Sequence, residues 1–492
     1  VAPDSAPAGQ AGCRLWFDVE DLFEYAMANR RPSGIQRVAF EIFRALQQDG
    51  GERIGFLRHD PLREGFRPVA WTTVAGLFDQ LTETAPVAAR SRAAPRQGGI
   101  APEPPWRLRL RRLVYRLPLD LRQPALQAVR SQWQAVQAGT SLLRAMLRHG
   151  AAALAAVAKS RPMAATAEAD AADFAALVRP GDVLVVLGAP WSSPDYAGLL
   201  ARAKTRFGLR FAILVFDIIP IRRPEWCERG LVRLFRAWFT AVLPHADIVM
   251  AISRATAADV EQFAAASGIA LRAPVRTIPM GSGFALAATS RGARAGLPLA
   301  GSYALCVATI EARKNHTLLF RVWRRLLDDL PREQVPTLVF AGRVGWLVAD
   351  LMQQLENSDY LDGKIRLIED ASDPELAALY RGCLFTVFPS LYEGWGLPVT
   401  ESLAFGKPCV AARGSSLPEA GGTLVRYLDP DSASDAYTVI RAVIEDPDGL
   451  RAWQAEVVRS FVPVAWADTA MAIWHEVIEG HLSKQPARAA SI

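Results

Sequence analysis

Along most of the chain, short unbroken apolar runs alternate with longer stretches in which apolar residues recur every three or four positions. Runs at 14–19, 183–187, 211–216 and 247–253 read as strands buried on both faces, and 275–278 closes this first set. A second set follows at 303–308, 337–341, 364–368, 384–388 and 408–412. Segments between them carry helical spacing, among them 38–46, 231–242, 316–330, 373–381, 433–444 and 466–479. Strand and helix in alternation predict a parallel, doubly wound sheet. The pattern occurs twice, so both halves are Rossmann-like. Residues 281–300, rich in Gly, Ala and Ser, are taken as the hinge between them.

The first half is interrupted from about residue 60 to 165. There, 85–105 is rich in Ala, Pro, Gly and Arg and reads as linker, and 127–157 as one or two Ala-rich helices. The expected organisation is a leader over 1–12 and an N-terminal domain over 13–285 that carries this helical insertion. A C-terminal domain over 286–465 follows, then a last helix and tail over 466–492 that cross back to the first domain. Within the insertion, residues 106–130 set Arg107, Arg109, Arg111, Arg112, Arg116, Arg122 and Arg130 against one acid, Asp120, among interleaved apolar residues. Such a segment fits an anionic membrane surface. It fits equally a solvated helical excursion packed on its own domain.

A length of 492 residues is too great for one core, and 51% apolar residues allow a large interior. The net charge of +6, with a pI near 9.2, is mild when spread over the chain and gives no argument for a nucleic-acid partner. The five cysteines are odd in number and too dispersed for a metal or redox motif, so reduced thiols in a cytoplasmic protein are expected. The N-terminal residues lack the basic start and apolar core of a signal peptide. No window is long and uncharged enough to predict a spanning helix.

Candidate chemistry concentrates at 388–419. The loop Glu393-Gly394-Trp395-Gly396-Leu397-Pro398 follows a strand, and open parallel sheets bind ligands at the carboxyl ends of their strands. A helix is predicted over 399–405, stopped by Gly406. Seven residues separate Glu393 from Glu401, which puts the second acid one to two helical turns in, so both can face one ligand. Taken singly, Glu401 is a solvated helix face, Arg313-Lys314 a solvated loop pair, and Trp395 core filler. Together, each at a strand's carboxyl end, they outweigh those readings. Ser33-Gly34 opens a helix, where unpaired N–H groups suit an anion. The same pair also serves as a plain helix cap.

On these residues the second half is similar to the family-four (group 1) retaining glycosyltransferases, whose GT-B architecture sets two Rossmann-like domains across a cleft. Glu393 to Glu401 resembles the family's Glu-x7-Glu motif. Thr309-Ile310-Glu311-Ala312-Arg313-Lys314-Asn315 and Gly342-Arg343-Val344-Gly345-Trp346 resemble its loops after the first and second strands of the C-terminal domain. Ser33-Gly34-Ile35-Gln36-Arg37, Asp217-Ile218-Ile219-Pro220 and Ser253-Arg254 look like a subgroup that extends polysaccharides. The resemblance covers about 14–60 and 180–480 and leaves out the insertion.

The resemblance implies that Lys314 and Arg313 stabilise a departing diphosphate. Thr309 stands where a phosphate-binding arginine is common, which leaves open the shares of Arg313, Arg343 and Arg37. It implies that Glu393 holds the donor sugar, Glu401 the ribose, and the backbone of Gly394, Trp395, Gly396 and Leu397 the sugar and phosphate. Ser33, Gly34, Arg343 and Ile368 join the donor side, and Arg37, Ser253 and Arg254 the acceptor side. Many relatives carry a histidine beside Asp217, where this chain has Phe216, so no general base transfers. Asp217 is expected at the reacting centre, against acceptor or donor sugar. Retention would follow from front-face attack, with the leaving phosphate taking the proton. Cationic side chains in place of a divalent ion imply a metal-independent enzyme without cofactor. The implied donor is a nucleotide sugar, first GDP-mannose. The implied acceptor is a growing polysaccharide or lipid-linked glycan at the inner membrane face. A nicotinamide oxidoreductase is disfavoured because no Gly-x-Gly-x-x-Gly follows the first strand of either half. Glu393, Glu401 and Lys314 together disfavour a catalytically silent binding protein.

Overall fold

The structure, a computed structural model, describes residues 13–82 and 174–482, apart from 30, 61–64, 189, 194, 284–297 and 299. The expected leader, the Arg-rich segment 106–130, the helices at 127–157 and most of the hinge lie outside the described residues. The chain splits into one unit of Val1–Glu83 with Ala172–Ile492 and a second of Thr84–Ala171. All that follows concerns the first unit.

The first sheet has seven strands: β1 (Leu15–Asp18), β2 (Ile54–Asp60), β3 (Gly65–Val69), β4 (Val183–Val186), β5 (Arg210–Val215), β6 (Ile248–Ala251) and β7 (Arg276–Thr277). Their order is β3-β2-β1-β4-β5-β6-β7. Every pair is parallel except β2 with β3. The strand order reverses between β1 and β4, which opens a crevice at their carboxyl ends. β1, β4 and β6 are buried along their whole length, as unbroken apolar runs require.

The second sheet has six strands: β8 (Tyr303–Val307), β9 (Thr337–Ala341), β10 (Ile365–Ile368), β11 (Phe385–Phe388), β12 (Cys409–Ala412) and β13 (Arg426–Leu428). All are parallel, in the order β10-β9-β8-β11-β12-β13. Each sheet therefore repeats the doubly wound order read from the alternation of runs.

The sequence reading left out β2, β13 and the helix Tyr196–Phe207, and two further features depart from it. The stretch expected as inserted from about residue 60 begins later, because β3 and the helix Trp71–Thr82 belong to the first sheet's domain. Phe66, Val74 and Leu81 are buried there, and Phe78 stacks on Phe40 at 3.7 Å. Pro68 hides β3 from a strand pattern, yet an edge strand tolerates proline. The second departure is two further helices, Ala349–Asn357 and Pro447–Ser460, in the second half.

The last helix, Trp466–Leu482, follows the second sheet but packs on the first domain. Its Ala470, Ile473 and Val477 share a buried cluster with Phe17, Val38 and Ile42. The Ser282 N–H donates to the Val464 carbonyl at 3.1 Å, which ties the two crossing segments together.

Candidate active site

The site begins at the carboxyl end of β11. The chain leaves the strand through Pro389 and Ser390 and enters the helix Leu397–Ala404 with Gly396 as its N-cap. Gly396 has φ of 112°, a left-handed conformation that a side chain would strain. Gly394 is glycine for another reason. A Cβ there would lie 2.0 Å from the Phe216 carbonyl oxygen of the first domain. The two domains thus meet backbone to backbone at this residue. Pro398 and the absent side chains let the loop turn tightly into the helix.

The loop after β8 is fixed beside it. Ala312–Lys314 form one 3-10 turn, and Asn315 takes a left-handed conformation with φ of 57° at the N-cap of the helix His316–Asp329. Asparagine tolerates that geometry. Its side-chain amide donates to the Pro389 and Pro430 carbonyls at 3.3 and 2.9 Å. The Leu391 N–H donates to the Arg313 carbonyl at 2.9 Å. This stitching delivers Arg313 and Lys314 to Glu393.

Glu393 is buried and fully engaged. Arg313 Nη1 lies 2.7 Å from one carboxylate oxygen, and Lys314 Nζ lies 2.5 Å from the other. The Ser390 hydroxyl donates to the carboxylate at 2.5 Å. Burial pushes the acid up, but the two cations and the hydrogen bonds from Lys314 and Ser390 outweigh it and hold the acid at about 2. Arg313 also contacts Glu311 at 2.7 Å and the Tyr392 carbonyl at 2.6 Å. Burial alone would lower its pKa; Glu393, Glu311 and Asp217 raise it instead. Asp217 follows β5 and accepts the Ile219 N–H at 3.0 Å. Burial raises its pKa against the pull of Arg313 and the Ile219 N–H, with Glu393 adding to the rise.

Glu401 stands in a different setting. One carboxylate oxygen accepts the Tyr380 hydroxyl at 2.8 Å. Burial raises its pKa to about 7, against that hydrogen bond and the charge of Arg37. Tyr380 is itself buried and stacks on Phe405 at 5.1 Å. Ile368 ends β10, where its carbonyl accepts the Gly342 N–H at 3.0 Å.

The first domain faces this array. Ser33 and Gly34 start the helix Gly34–Gly50, and a Cβ on Gly34 would lie 3.7 Å from the Leu397 side chain. Gln36 turns back on Ser33, accepting its backbone N–H at 3.2 Å, so the cap seen in the sequence forms. Arg37 reaches across in a two-pronged pair with Asp373, at 2.6 and 2.8 Å. Arg343 is exposed, and its guanidinium donates to the Asn29 amide oxygen at 3.5 Å. Among the expected cations it is the one not held by a carboxylate in the described geometry.

Ser253, expected on the acceptor side, is wholly buried and caps the helix Arg254–Ala266 by accepting the Thr256 N–H at 3.0 Å. The Arg254 and Ala255 N–H groups donate to Glu419 of the second domain at 2.8 and 2.9 Å. Here a helix N-terminus meets a carboxylate, and the contact joins the domains. The sequence reading missed Asp373, Tyr380, Ser390 and Glu419 as partners. Ser390 lies three residues from Glu393, but Asp373 is 336 residues from Arg37 and Glu419 165 from Arg254, and no local spacing signals those.

Beside Asp217 the structure opens a cavity of about 210 Å³. It is walled by Trp191, Phe235, Trp238 and residues of β5, with Trp226, Arg313 and Trp346 also lining it. The Trp346 indole donates to the Trp226 carbonyl at 2.9 Å, linking the domains over it.

Among the described residues, no three His, Cys, Asp or Glu side chains group as metal ligands. Asp-Pro-Asp triplets occur at 429–431 and 446–448, where Asp429 accepts the Asp431 N–H and Asp446 the Gly449 N–H. No helix among the described residues is long and apolar enough to cross a membrane.

Comparison with known proteins places this geometry. The sequence model of the glycosyl transferases group 1 matches residues 293–457. The chain is similar to the serotype-specific mannosyltransferase WbdA of Escherichia coli, 30% identical over 201 residues, covering 38% of this chain and 24% of that protein. It thus spans about a quarter of that relative's length. It is also similar to the O-antigen chain mannosyltransferase B of Escherichia coli, 26% identical over 299 residues, covering 57% of this chain and 70% of that one. Its fold matches the Anabaena protein Alr3699/HepE, solved with UDP and glucose, at a TM-score of 0.51 and 14% identity, over 96% of this chain and 100% of that one. Residues 293–457 thus match the glycosyl transferases group 1, and the chain that carries them has the GT-B architecture of two Rossmann-like domains.

Proposed function

We propose that this protein is a retaining hexosyltransferase that moves mannose from GDP-mannose to a growing polysaccharide or lipid-linked glycan, without a metal ion. The observation that carries this reading is the array of Arg313, Lys314 and Glu393 at the carboxyl ends of β8 and β11, against Asp217 of the facing domain. Arg313 is shared between Glu311 and Glu393 and fixes the second acid in its ionised form. Lys314 is a flexible point charge and exchanges Glu393 for the donor diphosphate. Arg343, on the neighbouring loop, supplies a further cation. Fixed charges of this kind stabilise a leaving diphosphate as its charge develops.

In the reaction, the bond from the sugar's anomeric carbon to the phosphate oxygen breaks. The acceptor oxygen bonds to that carbon on the same face, and its proton passes to the leaving phosphate. Asp217 orients the acceptor hydroxyl. Glu393, with its oxygens spent on the cations, positions them and meets the sugar from beneath; Glu401 accepts the ribose hydroxyls. The mannose assignment is supported by the similarity to two mannosyltransferases.

A panel of nucleotide sugars tests this. Free GDP should appear with GDP-mannose, and GDP-mannose should raise the melting temperature. Turnover confined to UDP-sugars would replace the donor. Neither turnover nor a thermal shift with any nucleotide sugar would end the enzyme reading.

A further inference from the structure

The cavity beside Asp217 shares Asp217, Glu311 and Arg313 with the site above, but the rest of its wall has no part in that chemistry. The helix Arg229–Val242 turns Leu231, Phe235 and Trp238 toward it, residues four and three positions apart on one face. Trp191 packs on Phe235 and Trp238, with ring centroids 5.5 and 6.3 Å apart. Ile213, Leu214, Val215 and Phe216 complete the lining along and just beyond β5.

The lining says what such a space can hold. Its polar partners are few and mostly taken. Glu311 is paired with Arg313, and Asp217 accepts a backbone N–H. The Cys227 thiol, pushed up to about 11 by burial, stays neutral. A bare hexose brings several hydroxyls, and each one buried without a partner costs about 1–3 kcal/mol. A hydrocarbon or aromatic group avoids that cost. A cavity of about 150 Å³ lined by Leu, Ile and Phe stays dry and takes benzene; this one is larger.

We propose that this cavity seats an apolar group that the acceptor carries next to its reacting sugar, either the first segment of a hydrocarbon chain or an aromatic aglycone. The proposal rests on the glycosyltransferase reading. The reacting hydroxyl then sits beside Asp217.

The test uses the full chain and three probes: methyl, phenyl and octyl mannoside, the last below its micelle concentration. Binding is read without donor, by the fluorescence of the lining tryptophans. Transfer from GDP-mannose to each probe is read separately. The phenyl or octyl compound should bind about tenfold tighter than the methyl one, through the apolar area it buries. KM should fall in the same order. Octyl ahead of phenyl marks a chain, and the reverse an aromatic group. Leu231→Trp, which fills the cavity, should erase the preference while the nucleotide-sugar thermal shift stays. Equal binding of all three probes overturns the proposal, as does a preference that survives Leu231→Trp. Donor hydrolysis distinguishes the failures. If it persists without an apolar preference, the cavity assignment falls alone. If neither turnover nor a thermal shift appears with any nucleotide sugar, the enzyme reading falls whatever the cavity binds.

Discussion

Glu393 and Glu401 stand on one loop and helix with seven residues between them, and their surroundings drive them in opposite directions. Both are shielded from water, which by itself raises a carboxylic acid. At Glu393, Arg313 and Lys314 overcome that rise and bring the acid to about 2. At Glu401 a tyrosine hydroxyl and the charge of Arg37 do not, and the acid rests near 7. One is a permanent anion that organises cations. The other titrates at neutral pH and is free to take a new hydrogen-bond partner. A matched acid/base pair flanking a scissile bond would require a different arrangement.

Removing Glu393 should have the largest effect. Glu393→Ala leaves Arg313 and Lys314 without their shared counter-charge in a shielded site. Breaking such a pair costs about 3–5 kcal/mol of stability. Transfer should fall on the order of a thousandfold, as when a fixed electrostatic group is lost. Chemical denaturation and donor turnover check the two effects. A variant with wild-type stability and rate would erase the contrast between the acids. The same pair makes Glu393 an acid-sensitive support. Because its pKa is depressed in the folded protein, its contribution is complete above the ordinary value near 4.5 and is lost as pH falls toward 2.

The Glu401 prediction has the opposite sign. Its pKa is raised on folding, so between about 4.5 and 7 the folded state binds more protons than the unfolded one. Stability contributed by this group is present at the acid end and declines as pH rises through 7. Nucleotide affinity should move the other way, since the ionised form accepts ribose hydroxyls best. Glu401→Gln should flatten both profiles, measured by denaturation midpoints and nucleotide titration across that range. Unchanged slopes in the variant would place the titrating group elsewhere.

Arg37→Ala should have the smallest effect. It removes the two-pronged pair with Asp373 between the domains, worth about 1 kcal/mol for a partly exposed pair. It also withdraws a charge that lowers Glu401, so the inflection in nucleotide affinity should shift upward. A stability loss without that shift would make Arg37 a domain clasp only.

The doubly wound pattern of both halves was legible because central parallel strands such as β1, β4, β11 and β12 are buried along their length and so write unbroken apolar runs. β3 escaped because an antiparallel edge strand needs no such run and accepts Pro68. Arg313, Lys314, Glu393 and Glu401 were legible as candidates because chemistry at strand ends leaves charged residues beside glycines. Their states were not. Nothing in the spacing of Glu393 and Glu401 says which acid meets cations and which meets a tyrosine.

The sequence by itself determined the two sheets, the loops that follow their strands, and the residue types those loops present. It did so through local periodicity and turn chemistry, which act over a few residues. Only the tertiary structure decided that Ser253 is a buried cap, that Glu419 bridges the domains, and that aromatic rings from separate segments enclose a cavity beside Asp217. Those outcomes depend on contacts between distant parts of the chain and on how much water each group loses, quantities that exist only once the domains have closed on one another.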